Sequence, residues 1–238
     1  MSEITPKKSL GQNFLGNEEA AQQIAELIDV ENVLEIGPGL GALTKQLAGR
    51  IKKLTVVEID NELSHILKKQ LGKKIKIIQG DCLDQSFSDY NCIVGLLPYN
   101  ISSKVIEKFI RSNAEKAVFV VQHEVAERMV AAPGTRDYSR LTILCQNNCE
   151  CELIAVYPPE FFWPKPQVHS ALITMKKKTP MELDQTLVNA LFQHKNQKVK
   201  KALKHSRHIL GLKTPANDSL LEKKVVQLTI EELAKLSA

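Results

Sequence analysis

The sequence lacks the features that mark secreted and membrane proteins. No apolar run reaches the length of about 20 residues that spans a bilayer, and the N-terminus has no apolar signal-peptide core. Cysteine occurs only five times, an odd number, which without a secretory signal favours reduced thiols over a disulfide framework. We therefore expect a cytoplasmic protein with no membrane partner.

Aromatic residues are scarce, at 5% with one tryptophan, but 43% hydrophobic and 25% charged residues are ordinary for a globular protein. A chain of 238 residues can bury a sizeable core, and we expect one large domain and one small one. The net charge of +5 is unevenly distributed, because residues 185–217 contain no aspartate or glutamate. The same interval holds seven lysine or arginine residues and three histidines, which favours a polyanionic partner.

Residues 32–60 have the order strand, glycine-rich turn, helix and strand. The turn carries Gly37, Gly39 and Gly41, where the missing Cβ atoms allow close approach of a ligand to the backbone. The second strand ends at Glu58, about 20 residues after the turn, where a carboxylate can accept hydrogen bonds from a ribose diol. We interpret this stretch as a nucleoside-cofactor site.

The spacing of the glycines distinguishes between cofactor classes. A nicotinamide-binding turn follows G-x-G-x-x-G and places a phosphate at a helix N-terminus. This chain has G-x-G-x-G preceded by Glu35, the form found in methyltransferases that use S-adenosylmethionine (SAM), a cationic ligand without phosphate. The plain alternative is a tight strand-to-helix turn without a ligand, which the acid at the end of the next strand makes less attractive.

Predicted strands alternate with predicted helices, which indicates a doubly wound α/β sheet with its ligands at the carboxyl ends of the strands. Glycine, acid and proline signals recur at those ends, at Gly37, Glu58, Asp81 and Leu97, so we expect them to meet in one crevice. Residues 141–145 and 151–156 are predicted as two late strands and 168–175 as a last one.

From Pro180 onwards the pattern is helical, with candidate helices at 182–193, 196–210, 217–225 and 229–236. We expect a domain boundary near residues 176–181. This gives a SAM-binding domain at 1–178, which includes a basic N-terminal segment at 1–16, and a helical RNA-binding domain at 179–238.

Several segments together resemble the ribosomal small-subunit RNA adenine N6,N6-dimethyltransferases, relatives of the erythromycin-resistance RNA methylases. The resemblance covers almost the whole chain in order, and the short C-terminal part is similar to the compact archaeal form. The segments that carry it are KSLGQNFL (8–15), LEIGPGLGALT (34–44), VEID (57–60), GD (80–81), LPYNIS (97–102), QHEVAERMVAAPGTRDYSRL (122–141) and PKPQVHSA (164–171).

The resemblance implies SAM as the cofactor and a role for each matching residue. Asn13 and Leu15 would border the methionine end, and Gly37 and Gly39 would contact the cofactor through the backbone. Glu58 would hold the ribose hydroxyls. Asp81 would accept a hydrogen bond from the adenine amino group of SAM, and Cys82 would lie beside that adenine. Leu96 would be a further cofactor contact.

The family's reactive motif is N-L-P-Y, and here it is Leu96, Leu97, Pro98 and Tyr99. The adenine amine is a poor nucleophile because its lone pair is delocalised into the ring, so oxygen acceptors for its hydrogens help to localise that pair. The Leu97 carbonyl can still accept one hydrogen, and Tyr99 can still stack on the flipped base. Leu96 has no acceptor, so we predict slow or absent turnover; Asn100 follows four residues later.

The resemblance implies dimethylation of two adjacent adenosines near the 3′ end of small-subunit rRNA, in an immature 30S-type subunit, by a monomer. Two alternatives remain: a catalytically weak or inactive ribosome-assembly factor, and a methylase of large-subunit rRNA. A solvated helix face is the plain reading of a basic run, but the acid-free interval favours contact with the RNA backbone. The predicted RNA-binding residues are Lys7, Lys8, Arg136, Arg140, Lys200, Lys201, Lys204 and Arg207.

We predict no metal site. Cys145, Cys149 and Cys151 lack the C-x-x-C spacing of zinc sites and have no evident partner pair. The histidines suggest no Ser-His-Asp or Cys-His arrangement.

Overall fold

The computed structural model describes residues 5–72, 75–206 and 218–237, which form two compact units. The first unit draws on Met1–Ala126 and Glu152–Lys177, and the second on Glu127–Cys151 and Lys178–Ala238. The chain passes between the units after Ala126, after Cys151 and after Lys177. The segment Glu127–Cys151, which the sequence places in the large domain, is thus grouped with the C-terminal residues.

A seven-stranded sheet forms the centre of the first unit, and its first five strands along the chain are parallel. The strands are β2 (Asn32–Ile36), β3 (Lys53–Glu58), β4 (Lys76–Gln79), β5 (Cys92–Leu96), β6 (Lys116–Gln122), β7 (Cys149–Tyr157) and β9 (Ser170–Lys177). Their order in the sheet is β4-β3-β2-β5-β6-β9-β7, and β9 runs antiparallel to β6. This order confirms the predicted doubly wound sheet.

Two short strands, β1 (Phe14–Leu15) and β8 (Phe162–Trp163), form a separate antiparallel pair. Phe14 lies opposite Trp163, and Leu15 lies opposite Phe162. The pair ties the N-terminal segment to the aromatic segment that precedes β9. A strand of two residues is too short to show periodicity, so β1 has no signal in the sequence.

Five α-helices of the described residues accompany this sheet, and side chains cap the first and the third of them. The Asn17 side chain accepts a hydrogen bond from Ala20 N–H at 2.7 Å, and the Asp60 side chain accepts one from Glu62 N–H at 3.0 Å. The helices are α1 (Glu18–Glu26), α2 (Ala42–Ala48), α3 (Asn61–Leu71), α4 (Ser102–Arg111) and α5 (His123–Val130).

The central strands are buried on both faces, as their apolar sequences indicate. Strands β2 and β5 approach closely at Gly95, where a Cβ atom would lie 2.5 Å from the Ile36 carbonyl oxygen, so only glycine fits. The strand order reverses between these two strands. In doubly wound sheets the ligand crevice lies at this point, beyond the carboxyl ends of the strands.

The second unit is mainly helical and has its own core, which includes Leu191, Val199 and Leu233. Tyr138 is buried there and donates its hydroxyl hydrogen to the Leu228 carbonyl at 2.8 Å. Its helices are α6 (Arg140–Asn148), α7 (Gln185–Phe192), α8 (Val199–His205), α9 (Asp218–Leu221) and α10 (Ile230–Ser237). The part of the predicted helix 196–210 beyond Ser206 lies outside the described residues.

The predicted strand at 141–145 is wrong, because these residues belong to α6. A run of five apolar or β-branched residues fits a buried strand and a buried helix equally well. A helix-start signal precedes the run: Ser139 N–H donates to Thr142 Oγ1 at 2.9 Å. Thr142, Ile143 and Cys145 are buried by the helix.

Candidate active site

A cavity of about 280 Å³ lies in the first unit at the carboxyl ends of the central strands, close to the usual range for small-molecule sites. The predicted cofactor and acceptor residues both line it, with one exception. Those on its wall are Asn13, Gly37, Gly39, Glu58, Asp81, Cys82, Leu96, Leu97, Pro98 and Tyr99. The structure therefore places both halves of the predicted site in one cavity.

The exception is Leu15, whose side chain is buried in the hydrophobic core and is not part of the cavity wall. Other lining residues have no role in the sequence analysis. Five of them lie in the KSLGQNFL segment: Ser9, Leu10, Gly11, Gln12 and Phe14. The family resemblance of this segment was the sequence signal that could have identified them as part of the site. Ile59, Asn100, Phe162 and Ser170 also line the cavity.

Glu58 is held by backbone donors from both sides. Its Oε2 accepts a hydrogen bond from Gly39 N–H at 3.1 Å, and its Oε1 accepts one from Asp60 N–H at 2.9 Å. Burial raises the pKa of this carboxyl group, whereas the two N–H groups act in the opposite direction. The carboxylate is thereby oriented at the cavity wall, where its remaining lone pairs can accept hydrogen bonds from two adjacent hydroxyl groups.

Gly39 adopts a left-handed conformation, with φ of 57°, in which a side chain would be strained. A Cβ atom there would also lie 2.7 Å from Cδ1 of Phe14. The glycine turn therefore packs directly beneath the Phe14 ring. The backbone of the turn lines the cavity. Both features require glycine at this position.

Glu35 lies at the end of β2 and is 1% exposed. Its Oε2 has no hydrogen-bond partner among the described residues. Burial raises the pKa of Glu35 to about 8, and the neighbouring Glu58 carboxylate adds to the shift. Glu35 is therefore mainly protonated at neutral pH and is not part of the cavity wall.

Asp81 follows β4 and caps a short 3-10 turn, because its Oδ1 accepts a hydrogen bond from Leu83 N–H at 2.8 Å. The next residue, Cys82, is 6% exposed. Burial raises the pKa of the Cys82 thiol to about 12, so it stays protonated and does not serve as a nucleophile at neutral pH. It offers the cavity an apolar surface.

The acceptor segment follows β5 and is held at two places. Leu97 N–H donates to the Val120 carbonyl at 2.9 Å, which continues the strand pairing beyond Leu96. The Tyr99 hydroxyl lies 3.0 Å from Ser170 Oγ, and this hydrogen bond fixes the orientation of the phenol. The tyrosine ring is thus positioned on the cavity wall before any ligand binds.

The N-terminal segment is attached to the cofactor side through Asp60. Lys7 Nζ lies 2.7 Å from Oδ1 of Asp60, and Gln12 Nε2 donates to Oδ2 at 2.8 Å. The Gln12 side chain also accepts from Lys7 N–H at 2.7 Å. On the acceptor side, a Cβ atom on Gly11 would lie 3.4 Å from both Asn100 Oδ1 and Pro98 Cβ. The segment therefore touches both sides of the cavity.

The charge of the cavity wall fits a cationic ligand without phosphate. No lysine or arginine is among the described residues that line it, whereas the carboxyl groups of Glu58 and Asp81 are. The glycine turn exposes backbone, and Glu58 is placed for a ribose diol. These residues fit SAM.

The predicted RNA-binding residues lie in both units. Lys7 and Lys8 belong to the first, and Lys7 contacts Asp60. The second unit carries Arg136, Arg140, Lys200, Lys201 and Lys204 on its surface, and Lys200 forms an ion pair with Glu222. Arg207 lies outside the described residues.

Within the described ranges, no helix is both long enough and apolar enough to cross a bilayer. The same ranges contain no group of three or more histidine, cysteine, aspartate or glutamate side chains placed to hold a metal ion. Cys145 and Cys149 are buried and Cys151 is partly buried, and none of these three cysteines forms a disulfide bond.

Comparison with known proteins identifies the family. Residues 4–237 match the family described as ribosomal RNA adenine dimethylase. A probable ribosomal RNA small subunit methyltransferase A from Thermococcus sibiricus is 39% identical over 250 residues, covering 97% of this chain and 90% of the relative. Its counterpart from Methanothermobacter thermautotrophicus is 37% identical over 245 residues, covering 97% and 89%.

Solved structures have the same fold. A dimethyladenosine transferase from Plasmodium falciparum superposes with a TM-score of 0.81 at 24% identity, covering 94% of this chain and 95% of that one. The 23S rRNA methyltransferase ErmE gives 0.72 at 25% identity, covering 94% and 97%. By its family match and these relatives, the chain is an RNA-modifying methyltransferase that uses SAM and belongs to the ribosomal RNA adenine dimethylase family.

Proposed function

We propose that this chain methylates N6 of two adjacent adenosines near the 3′ end of small-subunit rRNA, within an immature 30S-type subunit. The observation that supports this most directly is the single cavity lined both by Glu58 and by the acceptor residues Leu96, Leu97, Pro98 and Tyr99. The archaeal relatives are named for the small subunit. The choice of two adjacent adenosines rests on the family resemblance alone.

The cofactor side of the cavity would bind SAM through fixed acceptors and backbone. Glu58 accepts hydrogen bonds from the ribose hydroxyls, and Asp81 accepts one from the adenine amino group beside Cys82. The backbone at Gly37 and Gly39 packs against the ligand, and Asn13 borders its methionine end. Bound SAM supplies an electrophilic methyl group carried by a sulfonium sulfur.

The acceptor side would hold an adenosine flipped out of the RNA. Tyr99 stacks on the base, in the orientation that its bond to Ser170 sets, and the Leu97 carbonyl accepts one amine hydrogen. Leu96 leaves the second hydrogen without a partner. An unsatisfied buried donor costs about 1–3 kcal/mol, or roughly ten- to hundredfold in rate.

Asn100 also lines the cavity, and a Cβ atom on Gly11 would lie 3.4 Å from its Oδ1. We propose that this side chain stays beside Gly11 and does not take the place of the missing acceptor. We infer that the chain binds SAM and RNA and methylates slowly or not at all.

A methyl-transfer assay on immature small subunits tests this function, with dimethyladenosine quantified in the isolated rRNA. Leu96→Asn is expected to raise the rate about ten- to hundredfold over the wild type. Leu96→Met is the matched control, since it keeps an apolar side chain of similar volume and adds no acceptor. Equal rates for the wild type and Leu96→Asn contradict the role given to Leu96, and calorimetric titration with SAM tests cofactor binding separately.

Leu96 also favours a second function, that of an assembly factor that binds immature small subunits with little or no catalysis. Stable subunit binding without methylation, in both the wild type and Leu96→Asn, would support this alternative. A methylase of the large-subunit RNA is a third candidate, and parallel assays on the two isolated subunits separate it. We further propose that the protein acts as a monomer in the cytoplasm, where its subunit substrate is assembled.

A further inference from the structure

Trp163 is the only tryptophan of the chain, and half of its surface, 50%, is exposed. Large aromatic side chains are usually well buried, so this exposure calls for a reason. The indole is stacked on Phe14, with ring centroids 5.9 Å apart and an angle of 30° between the planes. Phe14 lines the cavity and is itself 7% exposed. One side of Trp163 is thus covered by a ring of the cavity wall.

The position of this indole is set by the backbone around it. Trp163 pairs with Phe14 across β1 and β8, and Gly16 N–H donates to the Phe161 carbonyl at 2.7 Å. Phe14 in turn lies against Gly39 of the glycine turn. A ring held in this way loses little conformational entropy when a ligand stacks on it.

Trp163 also lies next to two residues that line the cavity. The residue before it, Phe162, lines that cavity, as does its stacking partner Phe14. An enzyme that modifies a base must take the nucleotide out of its stack, which deprives the neighbouring base of a stacking partner. Proteins bind unpaired RNA bases by stacking them on exposed aromatic rings.

We propose that Trp163 is a stacking platform for an unpaired RNA base next to the adenosine that enters the cavity. This inference rests on the proposed RNA substrate. The ligand is a purine or pyrimidine ring of single-stranded RNA, stacked on the outer part of the indole. The stack then runs from the glycine turn through Phe14 and Trp163 into the RNA.

Because Trp163 is the sole tryptophan, its fluorescence reports directly on this site. The probe is a short single-stranded oligoribonucleotide with two adjacent adenosines, added to the full chain with and without SAM. Saturable quenching by this RNA is expected, and inorganic polyphosphate, which has charge but no bases, is expected to leave the emission unchanged. Quenching of equal size by polyphosphate, or RNA binding with unchanged emission, overturns the proposal.

Substitutions give the second measurement, with affinity read from the anisotropy of labelled RNA. Trp163→Leu keeps apolar contact with Phe14 but has no π face, and it is expected to weaken RNA binding about 5- to 100-fold. Trp163→Phe should restore most of the affinity, and calorimetric SAM binding should be the same in all variants. Val168→Ala, at another exposed apolar residue of the segment, is the control and should bind RNA normally.

RNA binding by the wild type and by Trp163→Leu separates a failure of the proposed RNA substrate from a failure of the stacking platform. If the wild type binds no RNA, the RNA substrate itself is wrong and this inference falls with it. If the wild type binds RNA and Trp163→Leu binds it equally well, only the stacking platform is wrong.

Discussion

Glu58 shows how a buried carboxylate becomes an oriented acceptor. Backbone N–H groups on two sides hold its oxygens. The Gly39 donor depends on the pairing of β2 with β3, which brings the glycine turn next to the end of β3, whereas the Asp60 donor lies two residues further along the chain. Gly37 N–H strengthens this junction by donating to the Val57 carbonyl at 3.0 Å. The place of Glu58 at the end of β3 is predictable from spacing, but the Gly39 donor follows only from strand adjacency.

Glu35, unlike Glu58, has no hydrogen-bond partner for its Oε2 among the described residues, and it is nearly inaccessible to water. The folded chain keeps it protonated up to about pH 8, whereas the unfolded chain releases the proton near the ordinary value of 4.5. Between these values the folded state binds more protons than the unfolded state. The contribution of Glu35 to the stability of the folded state therefore decreases as pH rises through this window.

We expect Glu35→Gln to remove this dependence, since glutamine has the same shape and no proton to lose. Relative to the wild type, the variant should gain stability steadily between about pH 5 and about pH 8, by up to a few kcal/mol. Urea unfolding at several pH values measures the difference, and subtraction of the two curves cancels the other titrating groups. Parallel curves for the two proteins would show that Glu35 is not protonated in the folded state.

At the scale of elements, the N-terminal segment connects the two sides of the cavity. It is anchored to Asp60 through Lys7 and Gln12, and it packs against Pro98 and Asn100 at Gly11. Burial acts to raise the pKa of Asp60, but the hydrogen bonds from Lys7 and Gln12 outweigh it and lower the pKa. Asp60 is therefore ionised at neutral pH and holds the segment over the cofactor side.

Lys7 is consequently expected to support cofactor binding, in addition to any contact with RNA. Lys7→Met should weaken SAM binding a few-fold in calorimetry, because the variant loses the ion pair that anchors the segment to Asp60. The neighbouring Lys8 is exposed, and Lys8→Met is the matched control with the same loss of charge. Equal SAM affinity in both variants would show that the anchor does not position the segment.

Element prediction failed where periodicity was too short to decide. Residues 141–145 are helical because Ser139 and Thr142 start a helix there and the second unit supplies a core for Ile143. The pair β1 and β8 was missed for a related reason. A strand of two residues, such as Phe14–Leu15, exists only through its partner, which is far away along the chain.

At the scale of the whole molecule, the second unit has a basic surface that is partly neutralised. Lys198 Nζ lies 2.7 Å from Glu222, and Lys200 contacts the same carboxylate. These two lysines lower the pKa of Glu222 to about 2, so it is charged at any physiological pH. Lys201 and Lys204 are exposed on the same helix, α8.

If this surface contacts RNA, Glu222→Gln should tighten RNA binding, because it releases two lysines for phosphate contacts. Lys204→Ala should weaken binding and reduce the slope of log affinity against log salt by about 1. Both variants should bind SAM like the wild type, since the cavity lies in the other unit. Unchanged RNA affinity and salt slope in both would assign RNA recognition to other residues.

Local sequence was sufficient for much that depends on neighbours along the chain: most of the alternation of strands and helices, the glycine turn, the acids at strand ends and the absence of an acceptor at Leu96. Only the tertiary structure decided which distant residues meet. It joined Asp60 to Lys7, placed Phe14 between Gly39 and Trp163, and grouped residues 127–151 with the C-terminal helices. The physical reason is that turn geometry and periodicity act over a few residues, whereas burial and strand pairing depend on the packing of the folded chain as a whole.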